Sequence, residues 1–159
     1  MYSTIPNHAI ARIFAHNTPR RVPVGAGFLV SPRYLLTCAH VVEAALGLKN
    51  AAAAPTSFVA FDFPLLPKHA PLRARVARWL PMCDQPTPGA PEDIALLDIA
   101  PETPLPPDAR PIDLLTLPDG HYAKRAFRAY GLTECMGEDG EWAGGTLDDL
   151  VASGRVQLR

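Results

Sequence analysis

The most informative hydrophobic pattern lies at residues 24–41, with the sequence VGAGFLVSPRYLLTCAHV. An apolar run at 28–30 is followed by Ser-Pro-Arg at 31–33 and by a second apolar run at 34–36. Two short strand-like runs joined by turn-forming residues predict a β-hairpin. This hairpin would leave the imidazole of His40 just past the end of a buried strand.

Alternating apolar and polar residues, or short runs rich in Phe and Val, predict further strands. They cover residues 9–15, 57–63, 72–80, 112–117, 126–132, 141–147 and 154–158. In the run LRARVARWL, Leu72, Ala74 and Val76 alternate with polar positions that carry arginines, which predicts a half-buried strand. Residues 41–48, VVEAALGL, predict one or two helical turns that Gly47 can end.

The apolar run DIALLDI at residues 93–99 allows two interpretations, because periodicity alone does not separate a strand buried on both faces from a brief helix. Its short length and the prolines on both sides favour the strand. The proline-rich residues 100–111 predict a stiff connector. Several short strands at close spacing predict an all-β fold, either a sandwich or a barrel.

Composition favours a folded protein and excludes several function classes. The 48% hydrophobic content of the 159 residues argues against disorder in spite of 18 prolines. Fifteen Lys and Arg balance 16 Asp and Glu, so no charged surface for nucleic acid or membrane is expected. The cysteines Cys38, Cys83 and Cys135 match no zinc spacing and are expected to be reduced thiols in the cytoplasm. Neither a signal peptide nor a transmembrane segment is predicted.

Two stretches resemble motifs of one enzyme family. GAGFLVSPRYLLTCAHVV at residues 25–42 resembles the histidine motif of the trypsin-like (chymotrypsin-fold) serine proteases. DIALL at residues 93–97 is similar to the motif that carries the orienting aspartate in that family. The resemblance implies His40 as the general base and Asp93 as the acid that holds the imidazole in its tautomer. It also implies a double β-barrel, with residues 1–100 as a complete first barrel, 101–111 as the connector and 112–159 as a partial second barrel.

The nucleophile is where the sequence departs from this family, because its G-x-S-G-x-P signature is absent. Ser153 is the serine of the only Ser-Gly pair in the chain, but its surrounding sequence, VASGRV, fits a polar turn before a strand better than a nucleophile. Residues 128–159 resemble the approach to the nucleophile in a bacterial subgroup of intracellular trypsin-like domains. By that template the serine motif is expected a short way past Arg159.

The other ionisable groups are expected to be ordinary. No motif adjoins His8, His16, His69 or His121. Glu92 and Asp98 are predicted to be solvent-facing charges, and Asp98 would be an odd partner for His40 because it lies at the far end of its strand. No dinucleotide loop, phosphate-binding loop or metalloprotease motif is found in the sequence, so no cofactor or metal is expected.

The resemblance leads to two expected functions. The first is peptide-bond hydrolysis by a serine endopeptidase, acting on a protein or peptide and associated with signalling or defence modules, with the 159-residue chain alone inactive for lack of a nucleophile. The alternative is a catalytically inactive trypsin-fold module that binds or regulates a partner. A cleavage product ending at Arg159 is a third interpretation, and its unpaired strand edge would promote association.

Overall fold

The computed structural model describes residues 7–16, 20–83, 92–114, 124–132, 140–150 and 156–158. These residues form a closed barrel, a separate three-stranded sheet and one helix. The barrel strands are β1 (Ile10–Phe14), β2 (Pro23–Leu29), β3 (Tyr34–Thr37), β4 (Val59–Asp62), β5 (Leu72–Leu80) and β6 (Ile94–Ile99). The helix α1 (Ala39–Leu46) follows β3, and the second sheet contains β7 (Ala126–Gly131), β8 (Glu141–Leu150) and β9 (Val156–Leu158).

The barrel closes in the order β1-β2-β3-β6-β5-β4, with every neighbouring pair antiparallel. Closure leaves no strand edge of this sheet unpaired. Gly27 in β2 permits a close approach to β3, since a Cβ there would lie 2.8 Å from the carbonyl oxygen of Leu36. The predicted hairpin is therefore present, and the prediction of an all-β fold with a complete first barrel is confirmed.

Alternate side chains of the barrel strands point inward and form its core. In β6 the buried positions are Ala95, Leu97 and Ile99, whereas the residues between them are only half-buried. The run DIALLDI is thus a strand, as predicted, but it is fully buried on one face only. The largest fully buried side chains of the core are Phe61, Phe63, Ile13, Leu29, Leu35, Leu97, Val42 and Val59.

The second sheet has the order β7-β8-β9 and fits the prediction of a partial second barrel. Its register places Tyr130 opposite Trp142, and their rings meet edge to face with centroids 5.3 Å apart. Such cross-strand aromatic pairs are a common source of sheet stability. The predicted strands at 126–132, 141–147 and 154–158 all correspond to strands in this sheet.

The connector packs against the first barrel. Ala109 is buried, and Leu105 and Ile112 pack on the barrel core. The backbone N–H of Ile112 donates to the carbonyl of Leu29 over 2.9 Å. A strand was predicted at 112–117, but residues 112–114 form no strand and 115–117 lie outside the described residues. No helix in the described part of the chain is long and apolar enough to cross a membrane.

Replacing Phe61 by Ala should remove one of the two largest fully buried side chains of the core and lower the free energy of unfolding by about 3–5 kcal/mol. The matched control is Phe58→Ala, because the half-buried ring of Phe58 packs under the guanidinium groups of Arg73 and Arg75 near the surface. The control substitution should lower the free energy of unfolding by clearly less than Phe61→Ala does. Urea unfolding of both variants measures the difference, and equal losses would contradict this description of the core.

Candidate active site

The antiparallel pairing of β3 with β6 brings the two candidate residues together. Thr37, the last residue of β3, lies opposite Ala95 near the start of β6. Extending this register by two residues on each strand reaches the N-terminus of α1 on one side and Asp93 on the other. Residues 53 positions apart in the chain therefore meet at one edge of the barrel.

Asp93 binds His40 through both carboxylate oxygens. Oδ1 accepts the backbone N–H of His40 over 2.9 Å, and Oδ2 lies 2.7 Å from the ring nitrogen Nδ1. His40 is the second residue of α1, so its backbone N–H is one of the groups that a helix leaves without an internal acceptor. Cys38 occupies the N-cap position and makes no capping bond with its side chain. The carboxylate of Asp93 thus completes the helix start from a distant part of the chain.

A carboxylate can only accept hydrogen bonds, so the ring nitrogen beside it must carry the proton. In the neutral ring this leaves Nε2 unprotonated, with its lone pair free to take a proton. The side chain of His40 is 52% exposed, whereas that of Asp93 is 24% exposed. The arrangement therefore presents the imidazole toward solvent and keeps the carboxylate that contacts it largely covered.

The backbone at Asp93 is held in the left-handed region, with φ at 55°. Aspartate and asparagine are the non-glycine residues that tolerate this region best. The N–H of Asp93 donates to the carbonyl of Pro81 over 3.3 Å, so the residue is fixed between the end of β5 and the start of β6. This turn directs the carboxylate at α1 and not along the strand.

The helix that carries His40 is fixed at both ends. Near its start Val41 packs against β2 at Gly25, where a Cβ would lie 2.6 Å from both Val41 methyl groups. At its end Gly47 adopts the left-handed conformation with φ at 67°, the usual way to end a helix. Beyond the helix, the N–H of Ala51 donates to Glu43 and its carbonyl accepts from the indole of Trp79. His40 is therefore presented from a rigid element.

Cys38 is a third ionisable side chain at this place, and the sequence did not predict its position there. One ligand atom each of Cys38, His40 and Asp93 lie within 4.8 Å of one another. Partial burial raises the pKa of the Cys38 thiol, and the negative charge of Asp93 raises it further. The only signal in the sequence was that Cys38 stands two residues before His40, and the approach of Asp93 depends on the fold.

Asp98, the carboxylate that could have competed for His40, is paired elsewhere. Arg33 donates to its two oxygens over 2.6 and 2.7 Å, and this hydrogen bonding lowers the pKa of Asp98. A cavity of about 480 Å³ also lies apart from the site, lined by Arg12, Asp62, Lys68 and His69 among others and not by His40 or Asp93. Ser153, His121 and Cys135 lie outside the described residues.

The charge of Asp93 should be measurable through the reactivity of Cys38. Because the thiolate is the reacting form, the raised pKa predicts slow alkylation of Cys38 near neutral pH, with a rate that keeps rising above the ordinary thiol pKa of about 8.5. Asp93→Asn removes one of the two causes and should move this rise to lower pH. Iodoacetamide kinetics followed by peptide mass spectrometry test this, with Asp98→Asn as the control carboxylate. An unchanged profile in Asp93→Asn would contradict the charge effect.

Comparisons with known proteins give the fold. The sequence matches no protein-family model and no curated protein. The structure is similar to kallikrein-related peptidase 10, with a TM-score of 0.57 and 15% identity over 96% of this chain and 68% of that one. It also matches neuropsin, a serine protease expressed in the limbic system of mouse brain, with a TM-score of 0.49, 17% identity and coverage of 92% of this chain and 63% of that one. The chain thus spans less than two thirds of neuropsin, and it has the fold of the trypsin-like serine proteases.

Proposed function

We propose that this chain contributes the His–Asp half of the catalytic triad of a trypsin-like serine endopeptidase. The observation that carries the proposal is the 2.7 Å contact between His40 Nδ1 and Asp93 Oδ2, made by an exposed ring at the edge of the first barrel. A protein or peptide is the substrate. The trypsin-like fold supports the proposal, since that fold brings these two residue types together at the corresponding edge of its first barrel.

His40 has the role of general base in this scheme. Its Nε2 takes the proton of a serine hydroxyl as that oxygen attacks the scissile carbonyl, and the resulting imidazolium returns the proton to the leaving amine. Asp93 keeps the ring in the required tautomer and stabilises the imidazolium by charge. The acyl-enzyme is then hydrolysed by water that His40 activates in the same way.

The nucleophile is a serine outside the residues that the structure describes. Of the described serines, Ser31 is at the opposite end of β3 from His40, where its hydroxyl accepts the backbone N–H groups of Arg33 and Tyr34. Ser57 lies two residues before β4, and no hydrogen bond joins it to His40 in the described part of the chain. The alternative function, an inactive trypsin-fold module that binds a partner, keeps the same geometry without a serine partner for Nε2.

The experiment uses the product of the complete reading frame and a fluorophosphonate that labels activated serines. Asp93→Asn should lower peptidase turnover by about 10⁴-fold, because an amide leaves the imidazole in the wrong tautomer. His40→Ala should abolish labelling. The matched control is Asp98→Asn, which changes the carboxylate of the fifth residue of β6, a group that pairs with Arg33 at the surface. Its turnover should stay within a few-fold of the wild type.

Three results would decide against the endopeptidase. A loss of less than tenfold in Asp93→Asn would remove the orienting role of that residue. Labelling that survives in His40→Ala would show that another base activates the serine. A complete wild-type product that takes up no phosphonate and cleaves no peptide would favour the binding module.

A further inference from the structure

The cluster at the start of α1 combines three different metal-ligating side chains. Cys38 offers sulfur, His40 a ring nitrogen and Asp93 a carboxylate oxygen, all within 4.8 Å of one another. They come from the N-cap of the helix, its second residue and the turn before β6. Because α1 and that turn are tied to the barrel by separate contacts, the three ligands are brought together before any ion arrives.

We propose that Cys38, His40 and Asp93 form a binding site for Zn²⁺. Thiolate, imidazole and carboxylate are the three protein ligands of zinc, and three of them with water in the fourth position make an open tetrahedral site. Magnesium and calcium prefer all-oxygen ligands and are disfavoured here. Cys38 and His40 are exposed, so the ion can enter from solvent.

Charge also favours a divalent cation at this place. A bound Zn²⁺ neutralises one thiolate and one carboxylate together. Because zinc binds the thiolate, binding through Cys38 releases the thiol proton to solvent.

A bound ion and the His40–Asp93 hydrogen bond exclude each other in part. Two ligands of one tetrahedral zinc, each at about 2.0 Å, are roughly 3.3 Å apart, whereas Nδ1 and Oδ2 are now 2.7 Å apart. Binding through Nδ1 must open that contact, and binding through Nε2 takes the lone pair of the proposed base. Inhibition by zinc is a consequence that rests on the proposed function, while the site itself does not.

The direct test is the affinity of the full chain for Zn²⁺, measured by competition with a chromophoric chelator. Cys38→Ser should weaken binding by at least ~100-fold, because losing even the hydrogen-bond partners of metal ligands costs about 10–100-fold. Serine is a favoured N-cap residue, so this variant should keep the helix. The matched control is Cys83→Ser, which changes the other exposed cysteine of the described residues and should bind as the wild type does.

Two further measurements identify the ligands without any activity assay. Co²⁺ should show thiolate-to-cobalt charge-transfer absorption in the wild type and in Cys83→Ser but not in Cys38→Ser. Zn²⁺, but not Mg²⁺, should protect Cys38 from alkylation and leave Cys83 reactive. Equal affinity in the wild type and in Cys38→Ser, or protection that is lost in Cys83→Ser, would overturn the site. Neither outcome bears on whether His40 serves as a base.

Discussion

The carboxylate of Asp93 makes the interaction on which the candidate site depends. Its Oδ1 accepts the backbone N–H of His40, and its Oδ2 contacts the ring nitrogen of the same residue. One carboxylate therefore fixes both the start of the helix and the orientation of the imidazole ring. Hydrogen bonds to an ionised acceptor are stronger than neutral ones, and a negative charge at a helix N-terminus is favourable. The same carboxylate therefore stabilises the start of the helix and sets the orientation of the His40 ring.

The closed barrel is what allows this interaction to form. Asp93 and His40 belong to parts of the chain that meet only because β6 inserts between β3 and β5. The close packing of Val41 on Gly25 fixes how far the helix can shift over β2. The pairing of β3 with β6, together with the short helix at the barrel edge, thus brings His40 within hydrogen-bond distance of Asp93.

Much of the barrel could be predicted from local pattern because its strands are short and alternate. The hairpin of β2 and β3, the half-buried β5 and the strand at β6 all follow from side-chain periodicity. The helix was expected only after His40, yet it begins at Ala39. Its first turn is stabilised by the carboxylate of Asp93, which is too distant in the sequence for local patterns to indicate. The predicted strand at Ile112 was wrong over its described part, since an apolar side chain that packs from a loop has the same signature as one in a strand.

The residues of the candidate site that lie in sequence motifs could be predicted, and the others could not. His40 and Asp93 stand in recognisable surroundings, so they could be paired by resemblance before any distance was known. Cys38 belongs to no such motif, and its proximity to the carboxylate depends on how the turn before β6 is folded. Residues that are close in space but distant in the sequence, as Cys38 and Asp93 are, can be identified only from the tertiary structure.

The left-handed backbone at position 93 makes the mutational tolerance there unusually narrow. Asparagine and glycine fit the φ of 55° but carry no charge, whereas glutamate keeps the charge but fits this backbone less readily. Each substitution sacrifices either the conformation or the carboxylate. Aspartate thus combines the two properties that this position uses, a side chain that tolerates positive φ and a negative charge.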